Sequence, residues 1–234
     1  MLEFGGRTFE EKVDFTLLQK WLRTCEHTHL LCQPQKWHSS LKPPPRLRLI
    51  DVQDMCLVDA SPSHRYVSLS YVWGSVLTFQ TKKNILSELY LPGGLHAFKD
   101  DIALTVQDAM RVVRGLRERY LWTDAICIVQ DDPVDKAELV QEMDTVYARA
   151  ILTIVAAEGI HANAGLPGVR SHSRDVPKVF DIGNDISLLQ ARAPLAETLL
   201  NCPWSKRAWT YQEGILSSRQ LIFTTSTVHY VCCS

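Results

Sequence analysis

The sequence predicts an α/β protein whose mostly parallel sheet is flanked by helices. Three apolar, β-rich runs carry the prediction: YVSLSYV at 66–72, YLWTDAICIV at 120–129 and ILTIVAA at 151–157. Helical patterns over 101–119 and 132–150 separate these runs. The alternation of strand and helix within this segment favours parallel strands joined by right-handed crossovers.

The composition is that of a soluble globular protein with an ample core. Of 234 residues, 46% are hydrophobic and 22% are charged, and the net charge is −1. Because there is no basic excess, we expect no nucleic-acid partner. No apolar run approaches the ~18 residues of a membrane span, and the first residues lack a signal-peptide pattern. The odd count of seven cysteines indicates free thiols in a reducing cytosol, so we expect a cytoplasmic protein. The lack of a basic excess and of a spanning run predicts no membrane partner.

The N-terminal segment, residues 1–50, reads as a helix followed by a proline-rich connector. Leucines and Trp21 recur at three- and four-residue steps over 13–32, which predicts a helix. The three prolines at 43–45 favour an extended connector. LRLIDV, which follows them, reads as a short strand.

Cys25, His29 and Cys32 lie on one face of this helix, at positions i, i+4 and i+7. Cysteine and histidine at close spacing can bind zinc. No second ligand pair is evident in the sequence, and free cysteines are commonly buried. A packed core face is therefore favoured, and no metal site is predicted.

Cap signals set the limits of the two central helices. Thr105, with Asp108 three residues later, predicts the start of the first as a capping box. Asp132 is the expected N-cap of the second, and Pro133 suits its first position. An apolar stripe carries this second helix to about Ala150; it consists of Val140, Met143, Tyr147 and Ala150.

Asp124 is expected inside the strand 120–129, which reads as covered on both faces. A carboxylate there must be paired or hydrogen-bonded, because an isolated buried charge is very costly. Two interpretations stay open. The acid holds a backbone turn or an arginine, or it contacts a ligand.

The C-terminal third begins with a long irregular segment, 159–203, in which KVFDIG and ISLLQAR suggest a small hairpin. RAWTYQEG, at 207–214, then predicts a short helix with Trp209 and Glu213 one turn apart on one face. This pair is either a packed indole with a solvated acid or one wall of a site. The run RQLIFTTSTVHYVCC predicts two final strands.

In an open parallel sheet, ligands bind beyond the carboxyl ends of the strands. Three loops leave such ends, at 70–75, 129–132 and 157–159, so their polar residues should share one edge of the sheet. The sequence contains no GxGxxG, no phosphate loop, no HExxH and no GxSxG. These absences disfavour simple dehydrogenases, P-loop nucleotidases, zincins and α/β-hydrolases.

Several ordered motifs together resemble the fungal HET (heterokaryon incompatibility) domain: YVSLSYVWG, LWTDAICIVQDD with Lys136 and Met143 following, ARAILTIVAAEG, GLPG and RAWTYQE. The resemblance covers residues 15–234 and implies a single domain over 1–234, with an α/β core at 62–158 and the Trp/Glu helix and terminal strands at 204–234. It also implies a role in non-self recognition and programmed cell death.

The HET family is proposed to be distantly similar to TIR domains, which implies a flavodoxin/TIR-like sheet with an N-terminal helical extension and additional C-terminal strands. In that register RAWTYQE resembles the helix that carries the catalytic glutamate of NAD⁺-cleaving TIR domains. The resemblance implies catalysis by Glu213 and NAD⁺ as substrate, with no prosthetic group. The implied substrate-binding residues are Ser70, Tyr71, Trp73, Gly74, Asp124, Asp131, Arg207 and Trp209.

The chemistry of such a site needs few groups. Cleavage of the nicotinamide–ribose bond passes through an oxocarbenium-like cation, which one carboxylate can stabilise, and Tyr71, Trp73 or Trp209 can stack on a base. The alternative is a non-enzymatic adaptor that self-associates or recruits a partner, and fold alone cannot decide between them. On either hypothesis we expect self-association and an upstream sensor.

Overall fold

The computed structural model describes residues 10–33, 44–183 and 186–234, apart from the side chain of Tyr211. Nine strands are described: β1 Arg48–Asp51, β2 Cys56–Asp59, β3 Tyr66–Ser70, β4 Tyr120–Trp122, β5 Leu152–Ala156, β6 Val179–Asp181, β7 Ser187–Leu189, β8 Arg219–Phe223 and β9 Val228–Cys232. The described α-helices are α1 Phe15–Thr28, α2 Leu86–Leu89, α3 Leu104–Gly115, α4 Asp124–Cys127, α5 Pro133–Gln141, α6 Met143–Arg149, α7 Leu195–Asn201 and α8 Ala208–Leu216. Short 3₁₀ turns lie at Leu30–Cys32, His96–Phe98 and Trp204–Lys206.

Seven strands form one central sheet in the order β2-β1-β4-β3-β5-β8-β9. The four central strands are parallel, whereas β1, β2 and β9 pair antiparallel at the edges. Taken in chain order, the parallel strands stand 2-1-3-4, as at the start of the flavodoxin order. The predicted α/β class with a mostly parallel sheet, flanking helices and C-terminal strands is confirmed.

Burial explains why the central strands are nearly all apolar. Every residue of β3 and β5 is buried, as expected where helices cover both faces of a parallel sheet. The prediction of one strand over 120–129 is wrong, because β4 ends at Trp122 and a short helix starts at Asp124. An apolar run alone does not distinguish a buried strand from a buried helical turn.

The helix cap at Asp132 is confirmed, since its carboxylate accepts the N–H of Val134 and Pro133 occupies the first turn. The helix itself is interrupted at Glu142, which divides the predicted 132–150 helix into α5 and α6. The apolar stripe continues across this break, which is why periodicity did not reveal it.

The capping box predicted at Thr105 is wrong. The N-cap of α3 is Ala103, which makes no side-chain cap. The hydroxyl of Thr105 instead accepts the N–H of Gly165 at 3.0 Å. Asp108 accepts the N–H of Leu166 at 3.0 Å and the guanidinium of Arg170 at 2.6 Å. Both side chains therefore hold the loop after β5 rather than the helix end.

At the N-terminus, α1 and β1 are confirmed, but β2 was not predicted. Pro44 accepts the N–H of Leu47 in a turn, whereas the sequence favoured an extended connector. Pro43 lies outside the described residues. Beyond the turn, Arg48 and Asp135 form a buried ion pair, and Asp135 also accepts the N–H of Val129 at 2.8 Å. This pair ties β1 to the start of α5.

The long segment before α8 contains the predicted hairpin, formed by β6 and β7, and one helix that was not predicted, α7. The two final strands are also confirmed as the antiparallel pair β8 and β9. Among the described residues, none of the helices has the length and apolar character needed to cross a membrane.

Candidate active site

Glu213 lies on α8 and meets Ser70, the last residue of β3. Glu213 is 5% exposed, and its carboxylate accepts a short hydrogen bond from the Ser70 hydroxyl. The indole N–H of Trp204 donates to the same hydroxyl oxygen at 2.5 Å. Because a serine hydroxyl has one proton, the indole fixes Ser70 as a donor to Glu213. The ionised form of Glu213 therefore receives a directed hydrogen bond.

A chain of buried hydroxyls fixes the helix that carries this acid. Ser217 donates to the carbonyl oxygen of Glu213 at 2.6 Å and lies 2.5 Å from the hydroxyl of Thr153. Thr153 in turn lies 2.8 Å from the hydroxyl of Ser68. With one proton for each hydroxyl, the chain runs from β3 through β5 to α8. These hydrogen bonds between β3, β5 and the end of α8 thus fix the position of Glu213 relative to the sheet.

Asp124 is the second acid of the site, and it begins α4 immediately after β4. Its carboxylate accepts the indole N–H of Trp73 at 3.2 Å and the N–H of Ala125 at 2.8 Å. The first bond joins the loop after β3 to the loop after β4, and the second stabilises the turn into the helix. Asp124 therefore has the turn-holding role that the sequence allowed, and it also reaches the cleft.

Arg207 precedes α8 and faces both acids. Its guanidinium donates to the carbonyl oxygen of Tyr71 at 2.5 Å, which fastens the start of the helix to the chain leaving β3. Its positive charge also lowers the pKa of Glu213 and the pKa of Asp124. The guanidinium of Arg207 thus partly compensates the negative charges of Glu213 and Asp124.

The pKa of Glu213 is nevertheless raised above its ordinary value. Burial is the main cause, the Asp124 charge adds to it, and the Ser70 hydrogen bond and Arg207 oppose it. The pKa of Asp124 is also raised, again mainly by burial. Two acids with raised pKa values in one opening are a common property of functional sites.

These side chains border an open cleft of about 230 Å³. Its lining combines two acids, two cations, two indoles and a small apolar wall: Trp73, Asp124, Ile128, Gln130, Lys136, Val140, Met143, Arg207, Trp209 and Glu213. Drug-sized ligands usually occupy ~300–1,000 Å³, so this cleft suits one ring and a sugar rather than a whole dinucleotide.

Sequence reasoning missed five of the lining residues. Lys136, Val140 and Met143 stand at i, i+4 and i+7 across α5 and the start of α6, so they share one face. Val140 and Met143 belong to the predicted apolar stripe of this helix, which by itself does not indicate a site. Ile128 falls in the run 120–129, which the sequence predicts as a strand, whereas Gln130 lies in the predicted strand-end loop 129–132 without being singled out as a site residue.

Four residues that the family resemblance implied do not line the cleft. Ser70 is buried and acts on the cleft only through its hydrogen bond to Glu213. Tyr71 is buried and contributes its carbonyl oxygen rather than a stacking ring. Gly74 has φ +65°, and a Cβ there would lie 2.7 Å from the Cβ of His161, so it permits a tight turn. Asp131 accepts the N–H of Lys83 at 2.9 Å.

Two of the three strand-end loops meet at this cleft, through Trp73 and Gln130. The third does not. Glu158, in the loop after β5, accepts the N–H of Thr225 and borders a separate cavity at the end of β8. Because β3, β4 and β5 are parallel, the three loops lie at one edge of the sheet, as predicted, but they divide between two cavities.

Comparison with known protein families shows the family to which the chain belongs. The family model for heterokaryon incompatibility proteins (HET) matches residues 66–213, more than half of the sequence. The chain belongs to the HET family. The match begins at the first residue of β3 and ends at Glu213, so it spans the whole cleft lining.

Neither the curated proteins nor the solved structures yielded a match. Membership of the HET family implies a role in heterokaryon incompatibility and cell death.

Proposed function

We propose that this HET domain promotes cell death by cleaving NAD⁺, with Glu213 as the catalytic carboxylate. The observation that carries the proposal is the buried Glu213 carboxylate, held by Ser70 at the border of an open cleft with two indoles. The cleft lies at the carboxyl ends of β3 and β4, where open parallel sheets bind ligands. TIR-like chemistry is the reaction that this arrangement supports best.

The reaction breaks the bond between nicotinamide and the ribose C1′. The bonding electrons stay with the ring nitrogen, so nicotinamide leaves as a neutral molecule and needs no general acid. The ribosyl cation that remains is stabilised by the ionised carboxylate of Glu213. Water then adds at C1′ and loses a proton, giving ADP-ribose. Nicotinamide, ADP-ribose and one proton thus balance NAD⁺ and water.

The other lining residues suit the substrate. Trp209 is 49% exposed, and together with Trp73 it offers aromatic surface to the nicotinamide ring. Asp124 attracts the positive charge of that ring before cleavage. Lys136 and Arg207 supply positive charge for the pyrophosphate, which extends outside a cleft of this size.

Purified protein, tested alone and after induced assembly, should release nicotinamide from NAD⁺. Glu213→Gln keeps the hydrogen bond from Ser70 but removes the charge. We expect it to lower the release rate by at least ~100-fold, as removal of other charge-stabilising groups does. Chromatographic quantification of nicotinamide and ADP-ribose measures the rate.

The matched control is Glu197→Gln, because Glu197 is exposed on α7, away from the cleft lining. It should retain wild-type release. Assembled wild-type protein that releases no nicotinamide would refute the proposal. So would a folded Glu213→Gln variant with wild-type activity.

A second candidate function is a death-signalling adaptor that self-associates or recruits a partner. The hairpin of β6 and β7 favours it, because six of its apolar side chains are 41–57% exposed: Val179, Phe180, Ile182, Ile186, Leu188 and Leu189. Cell toxicity distinguishes the two functions. On the adaptor hypothesis, Phe180→Asp abolishes toxicity and Glu213→Gln does not.

A further inference from the structure

Three cysteines and one histidine converge at the end of the sheet opposite the cleft. The ligand atoms of Cys25, His29, Cys32 and Cys232 all lie within 4.8 Å of one another. The cluster combines the triplet that the sequence placed on one helical face with a cysteine from the last strand. Cys232 is the fourth ligand that spacing alone did not reveal.

Local structure brings the first three together. Cys25 and His29 are one turn apart at the end of α1, and the N–H of His29 donates to the carbonyl oxygen of Cys25. The 3₁₀ turn Leu30–Cys32 then reverses the chain and returns Cys32 to the same side. This gives a C-x₃-H-x₂-C segment whose ligand atoms face one point.

The fourth group comes from the far end of the chain. Cys232 closes β9, and its sulfur lies 3.3 Å from Nδ1 of His29. The ring centroids of Trp21 and Tyr230 are 6.1 Å apart, so α1 already packs against β9. Little movement is needed for the four atoms to surround an ion.

The geometry points to a structural zinc site with a Cys₃His ligand set, which we propose for this chain. Zn–S bonds of ~2.3 Å place the sulfurs of a tetrahedral site about 3.8 Å apart, within the spread of these atoms. All four coordination positions are filled by protein, as in structural rather than catalytic zinc sites. A disulfide would use only two of the four groups.

Arg219 supplies the outer partner that such a site requires. It is buried, and its guanidinium donates to the sulfur of Cys25 at 3.1 Å and to the carbonyl oxygen of Cys32 at 2.7 Å. Three thiolates and Zn²⁺ have a net charge of −1, which the guanidinium neutralises. Outer hydrogen bonds of this kind orient metal ligands and strengthen binding.

The site would join the two flanks of the family-matched segment, since all four ligands lie outside residues 66–213. Its role is to fasten α1 to β9. The inference is independent of the proposed NAD⁺ cleavage, because none of the four proposed zinc-binding residues lines the cleft.

The full chain, purified with its thiols reduced, should contain about one zinc ion per molecule by elemental analysis. Cobalt substitution should produce thiolate-to-metal charge-transfer bands and the visible bands of tetrahedral Co²⁺. Cys232→Ser should weaken zinc binding by at least ~100-fold, whereas Cys232→His, which restores a ligand, should recover it. This rescue separates ligand loss from misfolding.

Cys233→Ser is the matched control, because Cys233 is the exposed neighbour and is not part of the cluster. It should bind zinc like the wild type. Reduced, folded wild-type protein that neither contains zinc nor binds added zinc would overturn the proposal. Equal binding by the Cys232→Ser and Cys233→Ser variants would also overturn it.

Discussion

The cleft and the cysteine–histidine cluster lie at opposite ends of the same sheet, and they differ in their effect on stability. Ser70 ends β3 at the cleft, whereas Arg219 begins β8 beside the cluster. Both sites assemble polar groups from distant parts of the chain. In the cleft two acids with raised pKa values share one opening, which costs stability. In the cluster, three thiols and an imidazole converge beside the buried guanidinium of Arg219. Metal binding to these groups would stabilise the fold.

This difference suggests that the cleft and the cysteine–histidine cluster have different roles. The cleft lies inside the family-matched segment and carries the proposed chemistry. The cluster lies outside that segment and holds the first helix to the last strand. Mutations at the two ends should therefore have opposite consequences for stability and activity.

The largest effect on stability is expected at the cluster, from Arg219→Met. The substitution keeps an unbranched apolar stem but removes the guanidinium and its hydrogen bonds to Cys25 and Cys32. We expect a loss of about 2–3 kcal/mol in the free energy of unfolding, because buried acceptors lose their donors. Zinc binding should weaken by ~10–100-fold. Denaturant unfolding and zinc competition measure the two quantities.

Arg23→Met is the control for this prediction, because Arg23 is exposed on α1. Its effect should stay within ~0.5 kcal/mol. If Arg219→Met were as stable as Arg23→Met, the cluster would not stabilise the chain.

A substitution in the cleft is expected to change the free energy of unfolding by less, and in the opposite direction. Glu213→Gln should raise the free energy of unfolding by about 1 kcal/mol at neutral pH, since functional sites commonly trade stability for activity. A raised folded pKa means that protonated Glu213 favours the fold and that this contribution is lost as pH rises through that pKa. The gain should therefore vanish at acidic pH. Lower stability of Glu213→Gln at neutral pH would contradict the contrast between the two ends.

The sequence predicted β3, β5 and the start of α5 well because apolar runs and cap residues are local signals. Asp132 and Pro133 specify the start of α5, and the buried runs specify β3 and β5. It failed where a residue's partner is distant. Asp108 looked like part of a cap but binds Arg170 in the loop after β5.

The two sites repeat this distinction. Glu213 was visible because Trp209 stands one turn away, but its bond to Ser70 depends on the order of the strands. Cys25, His29 and Cys32 were visible as a triplet, whereas Cys232 joins them only through the pairing of β9 with β8. Sequence spacing therefore reveals part of each site, and the remaining residues are brought in by the order and pairing of the strands.

The smallest effect is expected from Ser70→Ala, which tests how the cleft controls its acid. The Ser70 hydroxyl lowers the pKa of Glu213 by donating to the carboxylate, so its removal should raise that pKa further. Nicotinamide release requires ionised Glu213 and falls as pH falls through this pKa. The acid limb of the pH–rate profile should therefore move to higher pH, by less than about one unit.

Ser171→Ala is the matched control, because Ser171 is exposed and lies outside the cleft lining. It should leave the profile in place. Infrared titration of the carboxyl group tests the same shift without relying on activity. An acid limb that stays fixed, or moves to lower pH, would mean that Ser70 does not stabilise the charge on Glu213. The hydroxyl would then serve only to accept the indole N–H of Trp204.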